Sequence, residues 1–141
     1  LRRGKGFQTL EIPRHLEETE IHTEPSRTAI LLECVTNLAA NELFGPGQDW
    51  ERMPEEQKEQ LLLEAETRIM EGICSLERQS ARLVIVTGQV GQDGGDYDAG
   101  TRSYIRLLGE VNCRIAAMAQ EMVEVVVGIP LILSGKERSG Q

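Results

Sequence analysis

Apolar positions fall into two kinds of run along this chain: short unbroken blocks, and longer stretches in which they return every three or four residues. Residues 28–34 (TAILLEC), 82–87 (RLVIVT) and 122–127 (MVEVVV) are short blocks, and they predict strands covered on both faces. Residues 7–12 (FQTLEI) form a further strand candidate. Pro13 then suits the first turn of a helix running to residue 24, where a missing N–H costs nothing. In 54–78, Leu61, Leu62, Ala65, Ile69, Ile73 and Leu76 recur at helical spacing, with glutamates on the other face. Glu64 and Arg68 there make an i,i+4 pair worth about 0.2–0.5 kcal/mol. A second long helix is predicted over 100–121, with Tyr104, Leu107, Leu108, Val111, Ile115 and Met118 inward. A short helix over 36–44 has Thr36 and Asn37 as caps and Gly45-Pro46-Gly47 as its stop. Residues 88–96 are a glycine-rich acidic loop, Gly128-Ile129-Pro130 turns the chain into an extended 131–133, and 134–141 is a polar, flexible tail.

The resulting order, β-α-β-α-α-β-α-β, predicts an α/β fold: a mostly parallel sheet with helices on both faces and right-handed crossovers. The 141 residues are the length of one nucleotide-binding-type domain, with a core that needs no disulfide or metal staple. Ligands in such folds lie at the carboxyl ends of the strands, which directs attention to 33–36, 87–91 and the neighbourhood of Gly128.

Charge narrows the range of partners. A net charge of −8 argues against non-specific binding to nucleic acid or anionic lipid. The clustered cations Arg2, Arg3 and Lys5 suit a phosphate or a solvated tail equally. The apolar run 122–133 is broken by Glu124 and Pro130 and is too short to span a bilayer. Cys34, Cys74 and Cys113 are an odd number without C-x-x-C spacing and read as reduced thiols of a cytoplasmic protein.

Glu33 is the most informative candidate for chemistry. It closes an apolar strand, the position at which nucleotide-binding folds hold Mg²⁺ through water; many strands also simply end in an acid. Thr36 offers a hydroxyl nearby or a helix cap. Glu11 closes the first strand candidate and reads as an acceptor for a base or ribose, or as a charge at a sheet edge. His15 and His22 lack a second histidine or cysteine at ligand spacing and read as surface residues, which argues against zinc catalysis. Gly88-Gln89-Val90-Gly91 follows a strand, yet neither G-x-G-x-x-G nor G-x-x-x-x-G-K-[ST] occurs in these residues, and there is no G-x-S-x-G elbow.

Taken in order, several segments resemble the bifunctional adenosylcobinamide kinase / adenosylcobinamide-phosphate guanylyltransferase family. Phe7-Gln8-Thr9-Leu10-Glu11 is similar to its W-x-T-x-E, and Ile30-Leu31-Leu32-Glu33-Cys34-Val35-Thr36 to its L-L-[DE]-C-[LI]-T. Asn41, Leu43 and Phe44 match N-L-L-F, and Val86-Thr87-Gly88-Gln89-Val90-Gly91 falls on V-[ST]-N-E-V-G. Arg102, Tyr104, Gly109, Asn112, Ala116 and Ala117 follow the family's R-x-F-x-x-x-x-G-x-x-N-x-x-x-A-A helix. Val125-Val126-Val127-Gly128-Ile129-Pro130-Leu131 follows its V-V-x-G-L-P-L ending.

The resemblance implies a P-loop NTPase-like fold, incomplete at the N-terminus, and a place in cobalamin biosynthesis. It implies phosphorylation of adenosylcobinamide with ATP or GTP, then transfer of GMP from GTP through a guanylylated histidine. By the same resemblance Leu1, Arg2, Glu11 and Glu33 contact the nucleotide, and Glu33 also holds Mg²⁺ through water. No catalytic residue falls within these 141 positions, because the phosphate-binding loop and the histidine are expected upstream of Leu1. The implied partners are adenosylcobinamide and a nucleotide, and the implied assembly is a homo-oligomer. The chain departs from the family at Gly88 and Gln89, which stand for Asn-Glu, and at Ile105-Arg106, which stand for Arg-Asp. Those departures motivate an alternative: a catalytically inactive relative that serves as a nucleotide- or corrinoid-binding scaffold.

Overall fold

A computed structural model describes residues 6–91 and 94–135. The regular elements are β1 (Ala29–Glu33), α1 (Val35–Leu43), α2 (Glu55–Arg78), β2 (Arg82–Val86), α3 (Ala99–Met118), β3 (Met122–Val126) and β4 (Ile129–Ser134). Two short 3₁₀ turns, Leu16–Glu18 and Pro25–Arg27, precede β1. Leu1, Arg2, Arg3, Lys5, Gln92, Asp93 and the tail from residue 136 lie outside the described residues.

The long helices follow their sequence pattern closely. In α2, Leu62, Ala65, Ile69, Met70, Ile73 and Leu76 are buried, with Glu55 and Glu56 in the first turn where the helix dipole favours acids. In α3, Leu107, Leu108 and Val111 are buried, and Asp98 caps the helix by accepting from the Thr101 amide at 2.7 Å. That capping bond holds the Asp98 carboxyl below its usual range. Met118, predicted inward, is instead 41% exposed at the last residue of α3. α1 begins one residue earlier than predicted: Cys34 is its N-cap, and Thr36 and Asn37 lie inside the first turn rather than capping it.

β1 and β2 pair in parallel, with Ile30 opposite Leu83, Leu32 opposite Ile85 and Glu33 opposite Val86. Ile30, Leu32, Leu83 and Ile85 pack on the core built by the three helices. Leu31, Val84 and Val86, on the other pleat, are exposed. The described residues therefore give an α/β arrangement in which a two-stranded parallel sheet is covered on one face. The larger sheet with helices on both faces is not formed by them. An all-apolar strand records what both faces prefer, and here only one face meets a partner.

Three further expectations are corrected. Residues 7–12 pair with no strand among the described residues, and Phe7 and Leu10 are exposed. The helix expected over 13–24 is replaced by one 3₁₀ turn, Leu16–Glu18, in otherwise irregular backbone. His15 has φ 57° and ψ 48°, outside the right-handed helical region, and the segment satisfies its backbone elsewhere. Ile21 N–H donates to Gln79 Oε1 at 2.6 Å and Gln79 Nε2 donates to the Thr19 carbonyl at 3.0 Å. Leu16 is driven into α2 opposite Gly72, where a Cβ would lie 2.7 Å from the Leu16 Cβ. Finally, β3 and β4 form an antiparallel hairpin, Val126 opposite Ile129, instead of adding a parallel strand. Val127 and Gly128 both have positive φ (51° and 80°), the geometry of a two-residue I′ turn.

Candidate functional site

The parallel register of β1 and β2 brings their carboxyl ends side by side, so Glu33 and Thr87 leave the sheet together. The turn after β2 is short of side-chain bulk. Gly88 lies against Thr36, where an added Cβ would come within 3.3 Å of the Thr36 methyl, and Gly91, at φ +83°, backs onto Ile105. Any other residue at Gly91 would be strained by its backbone and would collide with Ile105 at 2.7 Å.

Helix α3 ties the two strand ends to one another. Asn112 uses both ends of its amide: its Oδ1 accepts from the Thr87 hydroxyl at 2.7 Å, and its Nδ2 donates to the Gly88 carbonyl at 3.0 Å. Nearer the start of the same helix, the Tyr104 hydroxyl donates to the Thr36 carbonyl at 3.2 Å. Tyr104 packs in turn on Phe44, which meets Trp50 edge-on with centroids 5.7 Å apart. Burial, and the Cys34 charge after it, push the Tyr104 hydroxyl above its usual pKa.

Between the strand and α1, Cys34 Sγ and the Thr36 hydroxyl are 2.8 Å apart. That contact, then the Asn37 N–H, draws the Cys34 thiol below the usual cysteine range. The Thr36 hydroxyl is thereby engaged with sulfur, and the reading of it as a helix cap is set aside.

The sequence candidates distribute unevenly over this arrangement. Glu33 stands at the β1 end on the solvent-accessible pleat, with Thr36, Thr87 and Gly88 around the same strand ends. Glu11 is exposed in an irregular segment, not at the end of a strand. Leu1 and Arg2 lie outside the described residues. Gly128, expected at a parallel strand end, sits in the hairpin turn. Asn112 is the organiser that periodicity alone did not single out; its signal is a polar residue four positions after Leu108 in the inward stripe of α3.

Residues 1–133 match the family described as cobinamide kinase / cobinamide phosphate guanyltransferase. The chain belongs to that family. It is 34% identical over 129 residues to the bifunctional adenosylcobalamin biosynthesis protein CobU of Escherichia coli K12, covering 90% of this chain and 70% of the relative. The CobU protein of Salmonella typhimurium LT2 is 32% identical over 132 residues, with the same coverage. No helix among the described residues is long and apolar enough to cross a membrane.

Proposed function

We propose that this chain works in cobalamin biosynthesis as an adenosylcobinamide kinase and adenosylcobinamide-phosphate guanylyltransferase on a P-loop-like fold. In the first reaction the aminopropanol hydroxyl oxygen attacks the γ-phosphorus of ATP or GTP, the nucleoside diphosphate leaves, and the hydroxyl proton is released. In the second, GMP passes from GTP to the new phosphate by way of the histidine expected upstream of Leu1, and pyrophosphate leaves. The observation that carries this reading is the convergence of Glu33, Thr36 and Gly88 at adjacent parallel strand ends, in a chain of this family.

Glu33 offers a solvent-accessible carboxylate on a rigid strand end, an oxygen donor that suits Mg²⁺ held through water. Bound there, Mg²⁺ would offset the charge of the transferring phosphate. Glu11 and Arg2 fit the nucleotide by chemistry: a carboxylate accepts from a base or ribose, and a guanidinium grips two phosphate oxygens at once. Asn112 holds the turn after β2 in place, which fixes where a phosphate can approach Gly88. The proposal includes self-association, for which the exposed valines and leucines of β3 and β4 supply apolar surface.

Calorimetry on the complete protein with GTP and with adenosylcobinamide, followed by product analysis, tests the reading. Binding of both, with phosphorylated and guanylylated corrinoid formed, is the expected result. Binding without either product would replace it with the scaffold alternative.

A further inference from the structure

We propose that His15, Glu17 and Glu42 form a binding site for a single divalent transition-metal ion of the zinc type, which clips the segment before β1 to the helical core. Their ligand atoms all lie within 4.8 Å of one another. They come from two places in the sequence: His15 caps and Glu17 lies in the first 3₁₀ turn, and Glu42 comes from the last turn of α1.

Glu42 is the anchor. Its side chain is only 1% exposed, and it stands where the resembled N-L-L-F pattern has a leucine, so a carboxylate has entered a position suited to an apolar side chain. A buried carboxylate must be partnered. Its Oε2 accepts from Arg68 Nε at 3.0 Å, and its Oε1 accepts the His15 N–H, which leaves Oε1 lone-pair capacity toward the cluster. Glu17 supplies the second, independent observation. Its Oε1 lies 3.3 Å from His15 Nδ1, while its Oε2 is shut off from solvent with no hydrogen-bond partner among the described residues. That unpartnered oxygen belongs to a carboxylate whose other oxygen faces an imidazole, and a cation held by the carboxylate would satisfy it.

One nitrogen with two carboxylate donors suits zinc and its first-row neighbours better than Mg²⁺, which prefers oxygen alone. Metal bonds of about 2.0–2.2 Å suit the 3.3 Å that already separates His15 Nδ1 from Glu17 Oε1. His15 is half exposed, so the ion has an entry path and room for water as a fourth ligand. His15 also holds a left-handed backbone conformation, which sets its ring next to Glu17.

The inference does not depend on the proposed reaction, and its test reads metal binding alone. The full chain, stripped with chelator, is titrated with zinc chloride by calorimetry and with Co²⁺ by absorption, and melted with and without zinc. Two variants are compared: His15→Asn, because asparagine tolerates positive φ, and Glu17→Gln. One equivalent of zinc is expected to bind and raise Tm, with no thiolate-to-cobalt band, and each variant should weaken binding about tenfold or more. The metal-free melts should match the parent, which shows both variants folded. Absence of stoichiometric binding, parent-like affinity in either variant, or a thiolate band from Cys34, Cys74 or Cys113 would overturn the proposal. Glu42 is left intact because it also holds Arg68.

Discussion

Cys34 shows how much a single contact can set. Its thiol is drawn below the usual cysteine range chiefly by the Thr36 hydroxyl and next by the Asn37 N–H at the start of α1. Because the shift is downward, the thiolate persists to lower pH than in an ordinary thiol, and alkylation should rise at correspondingly lower pH. Thr36→Val removes the larger cause. The inflection of iodoacetamide modification at Cys34, followed by peptide mass analysis, should then move to higher pH; an unmoved inflection would assign the effect to the helix start alone. Single residues also mark where sequence reading stops. Glu33 was legible because a carboxylate closing an apolar block is visible in the bare order of residues. The Glu42–Arg68 bond was not, because the partners are 26 residues apart and Arg68 already has an adequate local partner in Glu64.

At the level of elements, α2 and α3 were legible because their burial repeats with the helical period over twenty or more residues. The segment before β1 was not. It is held by contacts no periodicity encodes: the Gln79 side chain bonded to Thr19 and Ile21, and Leu16 seated on Gly72. Two glycines of opposite character test that account. Gly72→Ala places a Cβ 2.7 Å from the Leu16 Cβ and 3.0 Å from the Glu17 nitrogen, and should cost about 1–3 kcal/mol in spite of alanine's better helix propensity. Gly109→Ala, in α3 with nothing within 4 Å of the new methyl, should stabilise by about 0.5–1 kcal/mol. Urea unfolding of the two variants measures both, and equal effects would mean that Leu16 does not press on α2. The third strand block shows a different limit. Residues 122–127 are as apolar as β1, but a Val127-Gly128 turn with two positive φ values folds them back on β4. Composition told of a strand and not of its partner.

Across the whole molecule, three helices cover one pleat of a two-stranded parallel sheet, while Leu31, Val84 and Val86 on the other pleat and most of β3 and β4 remain exposed. The α/β class was legible from the alternation of short and long apolar runs. The extent of the sheet was not, since apolar strands report a preference for burial that other surfaces must meet. The candidate site depends on this architecture: parallel pairing puts Glu33 and Thr87 close together, and α3 reaches both strand ends through Tyr104 and Asn112. The proposed function reads that geometry as the nucleotide site of a cobinamide kinase / guanyltransferase family member.

The most direct test of the central claim is turnover of adenosylcobinamide with GTP and Mg²⁺ by the complete protein carrying Glu33→Gln. Glutamine keeps the size and removes the charge, so unfolding should be unchanged while turnover falls about 10–100-fold, as for a group that positions a metal through water. Parent-like turnover in a folded Glu33→Gln protein would contradict the assignment of these strand ends as the nucleotide site.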